Sequence, residues 1–158
     1  VKIIAILKKY FFLIALTALV GAIVFANHHT PPAEGGIDFH KGTVKEAFAL
    51  AKRENKPVFI DVYAVWCGPC RLLKQYTFTD TALGNYFNQN FVNLALDGEK
   101  GEGIGVAQSL SVRAYPTLAV ITPGGEVILK IEGYYSPEQL LEIGKKAVAH
   151  YSEMKPQE

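Results

Sequence analysis

Two cysteines in 158 residues exclude a disulfide-dense scaffold and a four-thiolate zinc site within one chain. Charge of one sign is equally scarce. Sixteen basic and 15 acidic side chains leave a net charge of +1, without the basic excess that a dedicated nucleic-acid binder carries. Only 20% of residues are charged and 49% are apolar, so the chain is not disordered throughout. Its length suits one domain of ordinary size. There is no internal repeat and no low-complexity block.

What is present is unevenly placed. Residues 1–26 hold Lys2, Lys8 and Lys9 and no acid, so the rest carries 13 basic against 15 acidic groups, a net of −2. Tyr10 to Ala26 is a run of 17 uncharged residues, apolar on every face as a soluble helix rarely is. A spanning helix takes about 17–25 such residues. A signal peptide takes an apolar stretch of about 7–15 and a small-residue cleavage site, for which Val24-Phe25-Ala26 is an imperfect match. Residues 1–26 are therefore expected to be a membrane anchor or a signal peptide. Either places the remainder outside the cytoplasm, because basic flanks stay inside. Residues 27–36 (NHHTPPAEGG) read as a polar linker, 37–151 as the folded domain and 152–158 as a polar tail.

The domain announces its elements through caps and periods. Thr43 and Glu46 form a capping box ahead of Val44, Ala47, Phe48 and Ala51 at helical spacing, a helix to about Asn55. Val58–Tyr63 is an apolar, β-branched and aromatic run with one acid, Asp61, and reads as a buried strand. Arg71–Lys74 is helical. Thr79 or Asp80 caps a helix to about Gln89, Phe91–Leu96 is a strand, and Ile104–Leu110 is a short helix. Thr117–Ile121 and Glu126–Ile131 flank the turn Pro123-Gly124-Gly125 as a hairpin. Ser136, Pro137 and Gln139 start the last helix, which runs to about His150. The order α-β-α-α-β-α-β-β-α implies an α/β fold with a mixed sheet covered by helices on both faces.

Trp66-Cys67-Gly68-Pro69-Cys70 lies between the first strand and its helix. A C-x-x-C pair serves as half a zinc site, a haem attachment, a structural bridge or a redox dithiol. Zinc needs two more ligands, and His28, His29, His40 and His150 show no ligand spacing near the pair. Haem attachment needs histidine where Arg71 stands. A structural bridge would close a very short loop, which stabilises least. The redox dithiol is the leading reading, with metal and an inert bridge as its alternatives. At the helix start, unpaired N–H groups and the helix dipole favour a Cys67 thiolate. That thiolate would attack a substrate disulfide, and Cys70, one turn on, would resolve the mixed disulfide. Gly68 leaves room for a substrate backbone, and Pro69 is tolerated in the first helical turn. Gly101, Gly103 and Gly105 follow no strand at dinucleotide-binding spacing and read as a loop.

Here the residues resemble a known family. Phe59-Ile60-Asp61-Val62-Tyr63-Ala64 followed by WCGPC resembles the thioredoxin active site, and the resemblance covers about residues 41–150. Lys56–Ala64 and Tyr76–Asp80 look most like the C-terminal domain of the thiol:disulfide interchange protein DsbD, which does not normally carry Gly-Pro between its cysteines. The resemblance implies a thioredoxin-like fold, and a Cys67–Cys70 redox disulfide. It implies that Asp61 is a buried acid passing protons to and from Cys70, in line with the raised pKa of a carboxyl in an apolar strand. It implies a cis peptide before Pro116, opposite the dithiol, and a substrate surface of Trp66, Gly68, Pro69, Tyr115 and Pro116. Tyr115 departs from the usual aliphatic residue. Asn93 stands where many thioredoxins have a lysine that pairs with the acid.

The expected function is a membrane-tethered or exported thiol–disulfide oxidoreductase that reduces client proteins. Gly-Pro between the cysteines favours reduction by this resemblance. An oxidase or isomerase with the same dithiol, and a non-enzymatic peptide-binding module, are the alternatives. No cofactor, metal or nucleic acid is expected. The expected partners are clients bearing disulfides, the membrane through residues 10–26, and a separate upstream thiol donor, a membrane protein being one candidate.

Overall fold

The structure, a computed structural model, describes residues 35–154. The anchor or signal over 1–26, the linker to residue 34 and the last four residues lie outside the described residues. Among the described residues, no helix is long and apolar enough to cross a membrane.

The elements follow in the order α1 (Val44–Glu54), β1 (Val58–Tyr63), α2 (Gly68–Leu72), a π-helical turn (Leu73–Thr77), α3 (Thr81–Asn90), β2 (Val92–Asp97), α4 (Glu102–Ser109), β3 (Thr117–Ile121), β4 (Val127–Glu132) and α5 (Pro137–Met154). The capping signals are realised. Thr43 and Glu46 exchange both bonds of a capping box, and Asn55 closes α1 in the left-handed conformation. Asp80 accepts the Leu83 N–H at the head of α3, and Ser136 and Gln139 exchange bonds at the head of α5. Such caps each stabilise a helix by about 0.5–2 kcal/mol.

The sheet order is β2-β1-β3-β4, with β1 parallel to β2 and antiparallel to β3. β1 is central and buried on both faces, which is why its sequence is a continuous apolar run. Its alternation sorts the core. Val58, Ile60 and Val62 pack with Ala47 and Ala51 of α1 and Ala107 of α4. Phe59 packs on the other face with Leu83 and Phe87 of α3 and Leu140 and Ala147 of α5. The rings of Phe59 and Phe87 meet edge to face at 4.9 Å. Asp61, two residues after Phe59, therefore belongs to that second face.

Several boundaries differ from those read in the sequence: β2, α4 and β4 are each displaced by one or two residues, and Gly103 and Gly105, read as loop, lie inside α4. Gly36, assigned to the linker, is already packed: its carbonyl accepts from Asn88 Nδ2 at 3.2 Å, and a Cβ on Gly84 of α3 would lie 2.4 Å from the Gly36 carbonyl. The last helix runs to Met154, beyond His150, because Tyr151 is buried and bonds Asn55 Oδ1 at 3.1 Å.

Candidate active site

β1 and β3 run antiparallel with Val62 opposite Thr117. The loop after β1 and the segment before β3 therefore leave the sheet at the same end. The first carries Ala64–Cys67 and the second Tyr115-Pro116, whose peptide bond is cis, as the resemblance implies. Ala64 and Cys67 form a turn, with Cys67 N–H donating to the Ala64 carbonyl at 3.1 Å. α2 starts immediately after.

Cys67 is the N-cap of α2. Its Sγ accepts the Cys70 backbone N–H at 3.1 Å, so one of the helix's unpaired donors points at the sulfur. Cys67 and Cys70 are joined by a disulfide with S–S 2.04 Å. Both are buried, in a cluster with Ala64 against which Tyr63 and Tyr115 pack. Pro69 is exposed, and a Cβ on Gly68 would meet nothing closer than Arg71 Nη2 at 4.0 Å.

Asp61 is 5% exposed, and its Oδ1 has no hydrogen-bond partner among the described residues. Burial pushes its carboxyl up from 3.8 to about 7, because the ionised form is desolvated there. Asp61 and Cys70 line one cavity of about 570 Å³, together with Ala95, Arg71 and Lys74. Asn93 does not reach the acid. Its amide donates to the Asp38 carbonyl and to Asn88 Oδ1.

Trp66 is 65% exposed and is the chain's single tryptophan. Its ring meets Tyr115 edge to face at 5.9 Å, and its indole N–H donates to both carboxylate oxygens of Glu99, at 3.2 and 3.1 Å. Desolvation, then Glu99 and Asp97, raise the Tyr115 pKa. Arg71 Nη1 donates to the Trp66 carbonyl at 3.2 Å. Glu99, Arg71 and Gly98 were not singled out in the sequence. Gly98 seats Tyr115, since a Cβ there would lie 2.7 Å from the Tyr115 ring and hydroxyl. The Asp97-Gly98-Glu99 turn after a strand was the only available hint.

A helix-capping cysteine pair over a buried acid, on a mixed sheet with a cis-proline at the same end, defines a thioredoxin-like domain. The chain belongs to the thioredoxin-like domain family, whose pattern matches residues 44–147. It is 40% identical to a protein from Bacteroides thetaiotaomicron proposed to be a disulphide-isomerase. That likeness covers 72% of this chain and 94% of the other, with a TM-score of 0.64. It is 36% identical over 77 residues to the thiol:disulfide interchange protein DsbD of Vibrio vulnificus, covering 48% of this chain. The chain spans 13% of that relative's length. The C-terminal domain of Neisseria meningitidis DsbD shares the fold, at 21% identity and a TM-score of 0.56 over 66% of this chain and 93% of that one.

Proposed function

We propose that this chain is a thiol–disulfide oxidoreductase that reduces disulfides in client proteins outside the cytoplasm, tethered or exported through residues 1–26. The observation that carries the chemistry is the Cys67 Sγ at the N-cap of α2, accepting the Cys70 N–H. A sulfur held on helix N–H groups is stabilised as the thiolate, which is the nucleophile.

In this reading the Cys67 thiolate attacks one sulfur of a client disulfide. The client's S–S bond breaks, its other sulfur leaves as a thiolate, and a mixed disulfide forms at Cys67. Cys70 then gives its proton to the Asp61 carboxylate and attacks Cys67 Sγ. The Cys67–Cys70 bond forms and the second client thiolate leaves and takes a proton from solvent. The client has gained two electrons and the protein has lost two. A thiol donor outside this domain must restore them, because both of its cysteines are spent in the exchange. Trp66, Gly68, Pro69, Tyr115 and Pro116 hold the client chain beside Cys67.

Placement rests on Lys2, Lys8 and Lys9 ahead of the uncharged run Tyr10–Ala26, since basic flanks stay inside. The similarity to a disulphide-isomerase candidate supports a second reading, isomerisation, which uses the same dithiol at a higher potential. Titration of Cys67–Cys70 against glutathione buffers separates the two. A potential near that of thioredoxin, about −270 mV, supports reduction, and one near about −180 mV supports isomerisation. Cys70→Ser should trap clients on Cys67 as mixed disulfides. Failure of Cys70→Ser to trap clients, with trapping by Cys67→Ser instead, would reverse the assignment of the two cysteines.

A further inference from the structure

Tyr115 and Pro116 lie on the β3 side of β1, and the cavity beside Asp61 opens on its β2 side. Tyr115 and Pro116 precede β3, the antiparallel neighbour of β1. The cavity is walled instead by Ala95 of β2, the parallel neighbour, which pairs with Asp61 in register. Its other walls include Ile37, Phe39, Cys70, Arg71 and Lys74, and Ala64 and Val65 of the active-site loop close one end; Trp66, Gly68, Pro69, Tyr115 and Pro116 do not line it. Arg71, Lys74 and Thr79 at its edge are exposed, while Asp61 and Cys70 are buried. We propose that this cavity is a water-filled proton conduit, through which Asp61 exchanges its proton with solvent while a client polypeptide is held at Cys67.

The inference rests on the relay reading of Asp61 given above and extends it. A buried carboxyl oxygen with no hydrogen-bond partner among the described residues calls for water. A cavity of about 570 Å³ is ample for several, at roughly 30 Å³ each. The need for a separate route follows from titration. With its carboxyl pushed up to about 7, Asp61 is protonated in about half of the molecules at pH 7. Those molecules cannot accept the Cys70 proton. They must first lose one to solvent with the client already attached and covering the other side. The remaining ionisable groups on the cavity are Tyr63 of β1 and Arg71 and Lys74 of the helical segment. β2 contributes Ala95 and the residue 37–39 segment Ile37 and Phe39, none of which ionises.

Ala95→Leu fills the conduit without touching the client side. Stopped-flow reaction of the full chain with a disulfide-bonded decapeptide measures formation and release of the mixed disulfide separately. Formation should stay within about twofold of the parent. Release should fall about tenfold at pH 6–7 and recover toward the parent at pH 9, where Asp61 is already ionised. A fall independent of pH, or none, would overturn the conduit. Asp61→Asn, run alongside, separates the two readings. If it leaves release unchanged, the relay is wrong and the conduit falls with it. If it slows release and Ala95→Leu does not, the relay stands and the conduit alone fails. A second measurement needs no filled cavity. In Cys70→Ser carrying the decapeptide on Cys67, the ¹³C-carboxyl resonance of Asp61 should still titrate as one averaged line. Loss of titration, or two slowly exchanging lines, once the peptide is attached would sink the proposal.

Discussion

Asp61 and Asn93 share a face of neighbouring strands: Asp61 pairs in register with Ala95, two residues beyond Asn93. The Asn93 amide nevertheless turns to Asp38 and Asn88, and among the described residues no cation pairs with the acid. Burial is the only cause of its raised pKa. The sign of the consequence follows. Between about 4 and 7 the unfolded chain is ionised at Asp61 and the folded protein is protonated. The folded state binds more protons, so stability falls as pH rises across that window and is level above it. The shift from 3.8 to about 7 amounts to a cost on the order of 4 kcal/mol at pH 8. Asp61→Asn should therefore raise stability at pH 8 by a few kcal/mol and flatten the slope between pH 4 and 7, as urea titrations at several pH values would show. A variant less stable than the parent at pH 8 would contradict this account.

The same substitution should slow release of the mixed disulfide by about 100-fold, the low end of what a positioned proton acceptor contributes. Formation of the mixed disulfide belongs to Cys67 and should change little. Single-turnover kinetics with a labelled client peptide separate the two steps. Equal slowing of both would mean that Asp61 acts on the nucleophile instead.

Glu99 holds the exposed indole of Trp66 by two contacts of 3.2 and 3.1 Å. Both residues face solvent, so Glu99→Ala should cost under about 1 kcal/mol of stability. Its effect belongs to client binding: KM should rise several-fold with kcat little changed, because the ring loses its fixed orientation beside Cys67. The single tryptophan reports the change directly. Fluorescence anisotropy decay should show a more mobile indole, and an unchanged decay with unchanged KM would show that Glu99 does not position the ring.

Gly98 presents a cleaner separation of fold from site. A methyl there would sit 2.7 Å from the end of the Tyr115 side chain and 2.9 Å from Val62 Cγ1. The tyrosine tip gives way more easily than backbone. Gly98→Ala should lose about 1–3 kcal/mol and displace Tyr115 from Trp66, giving a several-fold loss of kcat/KM for client peptides. Retention of full activity would remove Tyr115 from the client surface.

The dithiol, the buried acid and the strand beneath them were legible because each has a local signature. A strand buried on both faces leaves a continuous apolar run, and Asp61 stands out within it. Thr43, Asp80 and Ser136 mark helix starts through bonds spanning only three residues. What was not legible depends on contacts far apart in sequence. Trp66 meets Glu99 across 33 residues, Asn93 bonds Asp38 across 55, and Gly98 is shaped by Tyr115. The π-helical turn Leu73–Thr77 also left no mark, since its residues show ordinary helical spacing. It buries Leu73 and Thr77 together, with Thr77 Oγ1 donating to the Tyr135 carbonyl at 2.7 Å.

Two helical glycines should respond in opposite directions. Gly84 of α3 is pressed on backbone: an added Cβ would lie 2.4 Å from the carbonyl carbon and oxygen of Gly36. Backbone yields only if the segment moves, and that segment continues into Ile37 and Phe39, two walls of the cavity beside Asp61. Gly84→Ala should cost about 1–3 kcal/mol. It should also lower the Asp61 pKa from about 7, since moving that wall widens the water-filled cavity and eases desolvation of the carboxylate. Gly105 of α4 has nothing within 4 Å of its added Cβ. Gly105→Ala should stabilise by up to about 1 kcal/mol through helix propensity and leave Asp61 unchanged. Thermal unfolding and the Asp61 carboxyl titration measure both effects. If Gly84→Ala does not destabilise, the contact between Gly84 and Gly36 is not what positions the residue 36–39 segment.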